Sequence, residues 1–357
     1  MKIIQRLINP SIQTMQAYHI PPAEDLLKLD AMENPYHWPE KLKQKWLSEL
    51  STIEINRYPD PAAKTLKEKI RSVIGIDNNL SIMLGNGSDE IIQIIAMALA
   101  QTDRVYMTPE PGFVMYRQIC QSLNVCFKSI ALNSEDFSLE KEAILEAVDR
   151  EQPALIFIAY PNNPTGNLFN KDLILDVIRK SQGLVVIDEA YYSFARESFV
   201  PYIDQFENLL VMRTFSKSGL AGLRLGYLIG PEAWLQELEK IRLPYNINSL
   251  TQKSAAFILD HYHILEQQAQ QICGSRGKLF NSLDNIEGIN AWPSKANFIL
   301  FRTIDKKSND LYVNLKDSGI LIKNLNGSHK LLENCLRVTV GTEKENAVFL
   351  EALRKFV

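Results

Sequence analysis

The stretch at residues 184–226, LVVIDEAYYSFARESFVPYIDQFENLLVMRTFSKSGLAGLRLG, contains two short apolar segments that are each followed by polar side chains. The first segment ends at Asp188, and the second precedes Lys217 by a few residues. Segments that are apolar throughout are typical of strands buried on both faces of a mostly parallel sheet. Because ligands on such sheets bind beyond the carboxyl ends of the strands, the stretch predicts a ligand site next to Asp188 and Lys217.

The same alternation of apolar segments and helical patterns continues on both sides of this stretch. Strands are predicted at residues 81–84, 104–107, 125–128, 155–159, 184–187, 209–212 and 225–229. Helical patterns separate several of them, which predicts an α/β domain whose sheet is covered on both sides. After residue 245 a long helical stretch at 251–283 and later strands predict a smaller α+β domain. We therefore expect an N-terminal arm at residues 1–30, a large domain at 31–245 and a small domain at 246–357.

The composition excludes several classes of protein. With 357 residues, 46% of them hydrophobic, the chain can form a large core, and its formal net charge of −3 provides no long-range attraction to nucleic acid or to an anionic membrane. No apolar run approaches the roughly 20 residues that span a bilayer, and no signal core follows the first residues, so we expect a cytoplasmic protein that acts on small molecules. The cysteines show no metal-ligand spacing, and we expect neither a disulfide nor a bound metal.

The turn Gly85-Asn86-Gly87-Ser88 lies between a predicted strand and a predicted helix. Glycines let backbone N–H groups converge, Ser88 can cap the helix, and the start of a helix carries partial positive charge, which together favour an anion. No Gly-Lys-Ser/Thr follows, so the turn is not the phosphate-binding loop of nucleotide hydrolases. A strand, a glycine turn and a helix also form ordinary connections, and the turn by itself leaves phosphate binding open.

The polar residues after the strands could bind a cofactor that carries opposed polar groups. A lysine such as Lys217 loses its proton readily in an enclosed site and can form a Schiff base, although most lysines after strands are solvated surface groups. A carboxylate such as Asp188, placed beside the pyridine nitrogen of pyridoxal phosphate, keeps that nitrogen protonated. Tyr191 and Asn163 can hydrogen-bond the phenolic oxygen of the cofactor. Each residue alone also fits an ordinary strand-end turn, and it is their combination that indicates the cofactor.

Four motifs form a set that is more specific than any of its members: NNPTG at residues 162–166, DEAY at 188–191, TFSK at 214–217 and AGLRLG at 221–226. In this order and spacing they resemble the fold-type-I pyridoxal-phosphate-dependent aminotransferases. Segments at residues 27–36, 56–59, 84–90 and 336–342 are similar to the histidinol-phosphate aminotransferase branch of that family. The similarity extends from about residue 10 to the end of the chain.

The resemblance implies a fold-type-I transferase, with a mostly parallel seven-stranded sheet covered by helices in a large domain and a smaller α+β C-terminal domain. It implies amino transfer between L-histidinol phosphate and 2-oxoglutarate, giving imidazole acetol phosphate and L-glutamate in histidine biosynthesis, with pyridoxal 5′-phosphate as cofactor. An aromatic or broad-specificity aminotransferase and a threonine-phosphate decarboxylase are alternatives with the same cofactor. The sensor domain of a transcription regulator is a non-enzymatic alternative, but the roughly 30 residues before the motifs are fewer than the about 50 of a DNA-binding domain.

The resemblance also implies roles for individual residues. Lys217 would be the Schiff-base lysine and proton shuttle, Asp188 would bind the pyridine nitrogen, and Tyr191 and Asn163 would bind the phenolic oxygen. The other implied cofactor contacts are Phe113 and Ala190 on the two faces of the ring, Gly87, Ser88, Asp89, Thr214, Ser216 and Arg224 at or near the phosphate, and Tyr58 from the neighbouring subunit of a homodimer. The implied substrate contacts are Tyr18, Asn163, Asn297, Lys323 and Arg337, and no metal is implied.

The chain departs from the family pattern at three places. An aromatic residue after Lys217 is missing, so the segment that leads to Arg224 is one residue shorter and we expect a tighter loop. Phe113 stands where a tyrosine is common, which preserves stacking but loses a hydroxyl. Lys323 stands where an arginine is common, which replaces a planar fork of donors by a point charge.

Overall fold

The computed structural model describes residues 2–17, 22–100, 103–304 and 307–357, and no helix in these ranges is long and apolar enough to cross a bilayer. Within them the strands are β1 (Leu27–Lys28), β2 (Ser81–Asn86), β3 (Tyr106–Glu110), β4 (Phe127–Ala131), β5 (Leu155–Ala159), β6 (Leu184–Asp188), β7 (Leu209–Thr214), β8 (Leu225–Gly230), β9 (Ile289–Ala291), β10 (Phe298–Thr303), β11 (Ile320–Leu321), β12 (Lys323–Asn324) and β13 (Cys335–Thr339). The α-helices are α1 (Lys2–Leu7), α2 (Pro10–Gln13), α3 (Glu40–Leu50), α4 (Lys64–Ile74), α5 (Ser88–Leu99), α6 (Val114–Ser122), α7 (Lys141–Glu151), α8 (Lys171–Lys180), α9 (Tyr192–Ala195), α10 (Glu232–Glu239), α11 (Ser249–Leu259), α12 (His263–Asp284), α13 (Ser308–Asp317) and α14 (Glu343–Phe356).

A seven-stranded sheet forms the centre of the described part of the chain, in the order β2-β8-β7-β6-β5-β3-β4. Strand β8 is antiparallel to both of its neighbours, and the other neighbouring pairs are parallel. The predicted mostly parallel seven-stranded sheet is therefore confirmed, and each predicted strand overlaps with a strand of this sheet. Because β5, β6 and β7 are parallel neighbours, the polar residues that follow them lie on the same side of the sheet.

Alternating side chains of the central strands pack into two apolar clusters, one on each face of the sheet. In β6, Val185 and Ile187 belong to one cluster, and Leu184 and Val186 belong to the other. Helices α7 and α8 contribute to the first cluster, and helices α5 and α6 contribute to the second. This burial on both faces is the physical reason that the strands are apolar throughout.

A smaller C-terminal domain is built on an antiparallel sheet whose described strands follow the order β12-β13-β10-β9. Residues of α12, α13 and α14 pack with this sheet in a third apolar cluster, which confirms the predicted α+β character. Strand β1 pairs in parallel with β11, so the end of the predicted N-terminal arm is joined to this domain. The domain boundaries at residues 31 and 246 stay predictions.

The helical stretch predicted at residues 251–283 is divided into α11 and α12 by a turn at residues 260–262. The two helices pack on different parts of the protein. Ile258 of α11 belongs to the cluster that contains Ile70 of α4, whereas Ile272 of α12 belongs to the cluster that contains Phe298 of β10. The turn therefore redirects the chain from the large sheet to the C-terminal domain, a change of packing partner that helical periodicity does not reveal.

Candidate active site

A pocket of about 530 Å³ lies at the carboxyl ends of β5, β6 and β7, beside the start of α5. The predicted cofactor residues that line it are Ser88, Asp89, Phe113, Asn163, Asp188, Ala190, Tyr191, Thr214, Ser216, Lys217 and Arg224. Met32, Ala159 and Pro161 complete the lining, and the sequence motifs did not indicate them. The parallel arrangement of the strands thus brings together side chains from distant parts of the chain.

Asp188 ends strand β6 and is only 4% exposed. Its Oδ2 accepts a hydrogen bond of 2.6 Å from the hydroxyl of Tyr116, and its Oδ1 accepts one of 3.0 Å from the backbone N–H of Ala190. Burial raises the pKa of Asp188 to about 6, and these two hydrogen bonds oppose the rise. A cationic ring nitrogen in the pocket is the kind of partner that stabilises such a buried carboxylate.

Lys217 lies in the pocket within a π-helical turn at residues 216–220. Gly219 in this turn has a φ of 117°, which residues with a side chain rarely adopt, so the turn can be as tight as the shortened segment predicts. Burial, and next the charge of Arg337, lower the pKa of the Lys217 amine to about 8. A sizeable fraction of the amine is therefore neutral near physiological pH, the form that acts as a nucleophile or base.

A cradle for an anion is formed where Gly87 and the start of α5 face Arg224. The guanidinium Nη2 of Arg224 lies 3.0 Å from Oδ2 of Asp89, and Nη1 lies 3.4 Å from Oγ of Ser216. Gly87 has a φ of 83°, and a Cβ at this position would lie 2.6 Å from Nη2 of Arg224. Despite the missing residue in its loop, Arg224 thus reaches the helix start, and Gly87 leaves room for it.

The aromatic residues of the pocket are held by packing. Tyr191 is buried and packs edge-on against Phe298, with ring centroids 5.2 Å apart. Burial raises the pKa of the Tyr191 hydroxyl well above its usual value, so this group keeps its proton and can donate a hydrogen bond. Phe113 and Ala190 both line the pocket.

The residues present fit pyridoxal phosphate in their chemistry. The pocket offers a carboxylate for a pyridine nitrogen, an amine of lowered pKa for an aldehyde, and a protonated phenol for a phenolic oxygen. The cradle at Gly87, which a Cβ would fill, combines a helix start with an arginine and a hydroxyl, as expected of a phosphate site.

A second pocket of about 1050 Å³ adjoins the first, and Met32, Phe113 and Asn163 line both. Lys323 and Arg337, two of the predicted substrate residues, lie in the wall of this second pocket. The side chain of Arg337 is buried, and its Nη1 donates a hydrogen bond of 2.5 Å to Oδ1 of Asn163. A cationic site is thereby linked directly to a residue that lines the pocket of Lys217.

Three predicted residues of the described structure do not line either pocket, namely Gly87 of the cradle, Tyr58 and Asn297. Tyr58 is 81% exposed and its ring stacks on that of Tyr245 at 4.5 Å. Asn297 is buried, and its Nδ2 donates a hydrogen bond of 2.9 Å to the backbone carbonyl of Met32, so it contacts the site through Met32. Tyr18 lies outside the described residues.

Sequence reasoning missed Tyr116 and a buried ion pair beside the site. Arg213 and Glu189 lie 2.8 Å apart and are almost fully buried, and Glu189 also accepts a hydrogen bond of 2.6 Å from the backbone N–H of Phe199. An arginine inside the apolar segment of β7 was a signal for such a pair, because a buried charge requires a partner.

The described residues contain no group of three or more His, Cys, Asp or Glu side chains that could hold a metal ion.

Comparison with known sequences assigns the family. The family model described as aminotransferase class I and II matches residues 24–353. Histidinol-phosphate aminotransferase 2 of Nitrosococcus oceani is 50% identical, with 98% of this chain and 97% of the relative covered. The histidinol-phosphate aminotransferase of Chromobacterium violaceum is 45% identical, with 99% of this chain and 98% of the relative covered.

Solved structures show the same fold. Histidinol-phosphate aminotransferase from Clostridium acetobutylicum has a TM-score of 0.84 at 25% identity, with 92% of this chain and 98% of that chain covered. The enzyme of that name from Sinorhizobium meliloti, solved in complex with pyridoxal-5′-phosphate, has a TM-score of 0.86 at 22% identity, with 98% and 97% covered. Pyridoxal 5′-phosphate is the cofactor of the class I and II aminotransferases, as the resemblance implied. The chain therefore belongs to this pyridoxal-phosphate-dependent aminotransferase family, in the branch of its histidinol-phosphate aminotransferase relatives.

Proposed function

We propose that this enzyme transfers the amino group of L-histidinol phosphate to 2-oxoglutarate, giving imidazole acetol phosphate and L-glutamate in a reversible step of histidine biosynthesis. The observation that carries the proposal is the position of Lys323 and Arg337 in the wall of a pocket that adjoins the pocket of Lys217. The names of the relatives from N. oceani and C. violaceum support the same substrate.

The two cations suit a phosphate ester better than a carboxylate. Lys323 and Arg337 are directly opposite in the antiparallel pair β12–β13, so their side chains leave the same face of the sheet. A dianion bound on this face would interact with both positive charges at once. A phosphate monoester provides two negative charges and three acceptor oxygens, whereas a carboxylate provides one charge.

The catalytic work of the chain is proton transfer and orientation. When bound, pyridoxal phosphate supplies a ring that withdraws electrons from the α-carbon of the amino donor. The neutral Nζ of Lys217 accepts the proton that leaves this carbon, and its pKa of about 8 suits both uptake and return of the proton. Asp188 holds the proton on the pyridine nitrogen, since its ionised form is stabilised by that cation.

We assign the remaining contacts by the same chemistry. Tyr191 and the NH₂ group of Asn163 would donate to the phenolic oxygen; the Asn163 oxygen already accepts from Arg337. Phe113 and Ala190, which both line the pocket, would pack on the two faces of the ring. The cofactor phosphate would be held by Gly87, Ser88, Thr214, Ser216 and Arg224 and by the backbone N–H of Asp89, whose carboxylate pairs with Arg224 instead. The substrate contacts are Asn163, Lys323 and Arg337, with Tyr18 from the arm, and Asn297 acts through Met32.

A homodimer completes the proposed site. Tyr58 is an aromatic residue that is 81% exposed in the single chain, and it belongs to a segment similar to the histidinol-phosphate aminotransferase branch. We propose that it reaches the cofactor phosphate of the neighbouring subunit.

We also propose that the enzyme works in the cytoplasm, where a reducing environment suits its free thiols, Cys120, Cys126, Cys273 and Cys335.

A substrate panel tests the proposal. The purified enzyme, loaded with pyridoxal phosphate, is incubated with 2-oxoglutarate and either histidinol phosphate, unphosphorylated histidinol or an aromatic amino acid, and L-glutamate is measured. We expect histidinol phosphate to give the highest kcat/KM, with histidinol as the matched control for the phosphate group. A higher kcat/KM with the aromatic amino acid would establish the broad-specificity alternative, and release of carbon dioxide from threonine phosphate would establish the decarboxylase.

A further inference from the structure

Tyr116 of α6 is a fully buried residue whose hydroxyl donates the hydrogen bond of 2.6 Å to Oδ2 of Asp188. Its ring is parallel to that of Phe157, with centroids 4.7 Å apart, and it is nearly perpendicular to that of Phe113, with centroids 5.4 Å apart. The two aromatic contacts hold the ring from different sides. The hydroxyl is therefore fixed at the carboxylate, and Phe113 in turn lines the cofactor pocket.

The direction of this hydrogen bond is determined by the surroundings. Burial and the neighbouring Asp188 raise the pKa of Tyr116 well above its usual value, so the phenol keeps its proton and remains the donor. Asp89 at the start of α5 and Glu189 next in the chain both disfavour the ionised form of Asp188. Tyr116 and the backbone N–H of Ala190 favour that form, and Tyr191 is a further titratable group nearby.

We propose that Tyr116 is a positioning residue for the cofactor: it holds Asp188 ionised and directed at the pyridine nitrogen, and so strengthens cofactor binding and keeps the ring protonated. One oxygen of Asp188 is occupied by Tyr116, and the other is oriented by the N–H of Ala190. The proposal deepens the aminotransferase function and rests on it for the cofactor, but it does not depend on the identity of the amino donor.

The test is the affinity of the apoenzyme for pyridoxal phosphate between pH 6 and pH 9, without any amino donor. Tyr116→Phe removes only the hydroxyl, and we expect about a ten-fold weaker affinity near pH 7, because a hydrogen bond to a buried charged group is lost. The dissociation constant of the variant, divided by that of the wild type, should fall toward one as the pH rises, since Asp188 then ionises without the donor. The imine absorbance of the loaded variant should also titrate at a different pH.

Tyr106→Phe is the matched control. Tyr106 of β3 is equally buried, and its hydroxyl donates a hydrogen bond of 2.7 Å to the backbone carbonyl of Ala96, away from Asp188. We expect this variant to lose a similar amount of thermal stability and to keep its cofactor affinity within two-fold. An equal loss of affinity in both variants, or a ratio for Tyr116→Phe that is the same at every pH, would overturn the proposal.

A double-mutant cycle separates positioning from general damage. In the Asp188→Asn background the carboxylate is absent, so Tyr116→Phe should change cofactor affinity by less than about two-fold. A full ten-fold effect in that background would show that Tyr116 acts independently of Asp188. Because the assay contains no amino donor, a wrong assignment of histidinol phosphate leaves its result unchanged.

Discussion

Arg337 Nη1 donates a hydrogen bond of 2.5 Å to Oδ1 of Asn163, while Nη2 donates one of 3.1 Å to the backbone carbonyl of Asp30. The first contact joins strand β13 of the C-terminal domain to the loop that follows β5 of the large sheet. It also orients the Asn163 amide, because an oxygen that accepts from Arg337 leaves the NH₂ group as the donor end. A ligand that neutralises Arg337 therefore affects both Asn163 and Lys217, whose pKa Arg337 lowers.

Lys323 should contribute to recognition of the substrate phosphate. We expect Lys323→Met to raise the KM for histidinol phosphate about ten-fold, because one charge-assisted hydrogen bond is lost, and to leave the KM for histidinol within two-fold. Steady-state kinetics with both amines measure the difference. Lys344→Met, at an exposed position of α14, is the control and should change neither value. Equal effects of Lys323→Met on the two amines would show that Lys323 does not contact the phosphate.

The lowered pKa of Lys217 makes the stability of the apoenzyme depend on pH. The pKa of Lys217 is about 8 in the folded state, and in the unfolded state it takes its ordinary value of 10.5. Between these pH values the unfolded state binds more protons than the folded state, so the stability rises with pH across that window. Below pH 8 the buried amine destabilises the fold by up to about 3 kcal/mol. We therefore expect Lys217→Met to stabilise the apoenzyme at pH 7.

Urea unfolding of the apoenzyme at pH 7, 8, 9 and 10 measures this effect of Lys217. The free energy of unfolding of Lys217→Met should exceed that of the wild type most at pH 7. This difference should decrease toward pH 10, as the wild-type amine loses its proton in both the folded and the unfolded state. Lys344→Met again serves as the exposed control, with no pH-dependent difference expected. A gain for Lys217→Met that does not change with pH would contradict the lowered pKa.

Gly87 should be required for cofactor binding. In Gly87→Ala the new Cβ would occupy a residue with a φ of 83° and lie 2.6 Å from Nη2 of Arg224, so we expect Arg224 to move and the affinity for pyridoxal phosphate to fall by about ten-fold or more. Gly222→Ala is the matched control, since a Cβ there has no neighbour within 4 Å. Titration of the apoenzymes with the cofactor compares them. Unchanged affinity in Gly87→Ala would place the phosphate elsewhere.

A shared active site predicts complementation between two inactive variants. In a mixed dimer of Tyr58→Ala and Lys217→Ala chains, one site receives Lys217 from one chain and Tyr58 from the other. Random mixing should therefore restore about a quarter of the wild-type activity, because half of the dimers are mixed and each has one intact site. Unfolding and refolding the two chains together, followed by an assay of glutamate formation, measures this. If the mixture stays as inactive as the separate variants, Tyr58 serves its own subunit or none.

The sequence alone determined the strands of the large sheet and the ligand site at their ends. Both follow from local information: a strand buried on both faces is a continuous apolar run, as in residues 155–159 and 184–187. The polar residues that come next, such as Asp188, must then lie at the carboxyl side of a parallel sheet. The family motifs added the cofactor, because their order and spacing are more specific than any single residue.

Only the tertiary structure decided which side chains meet around these residues. The hydrogen bond from Tyr116 to Asp188 depends on how α6 packs on the sheet, and the reach of Arg224 depends on the space above Gly87. The contact of Arg337 with Asn163 joins two domains whose relative position no local pattern records. Such contacts join residues far apart in the chain, so helix and strand periodicity, which relate only near neighbours, carry no information about them.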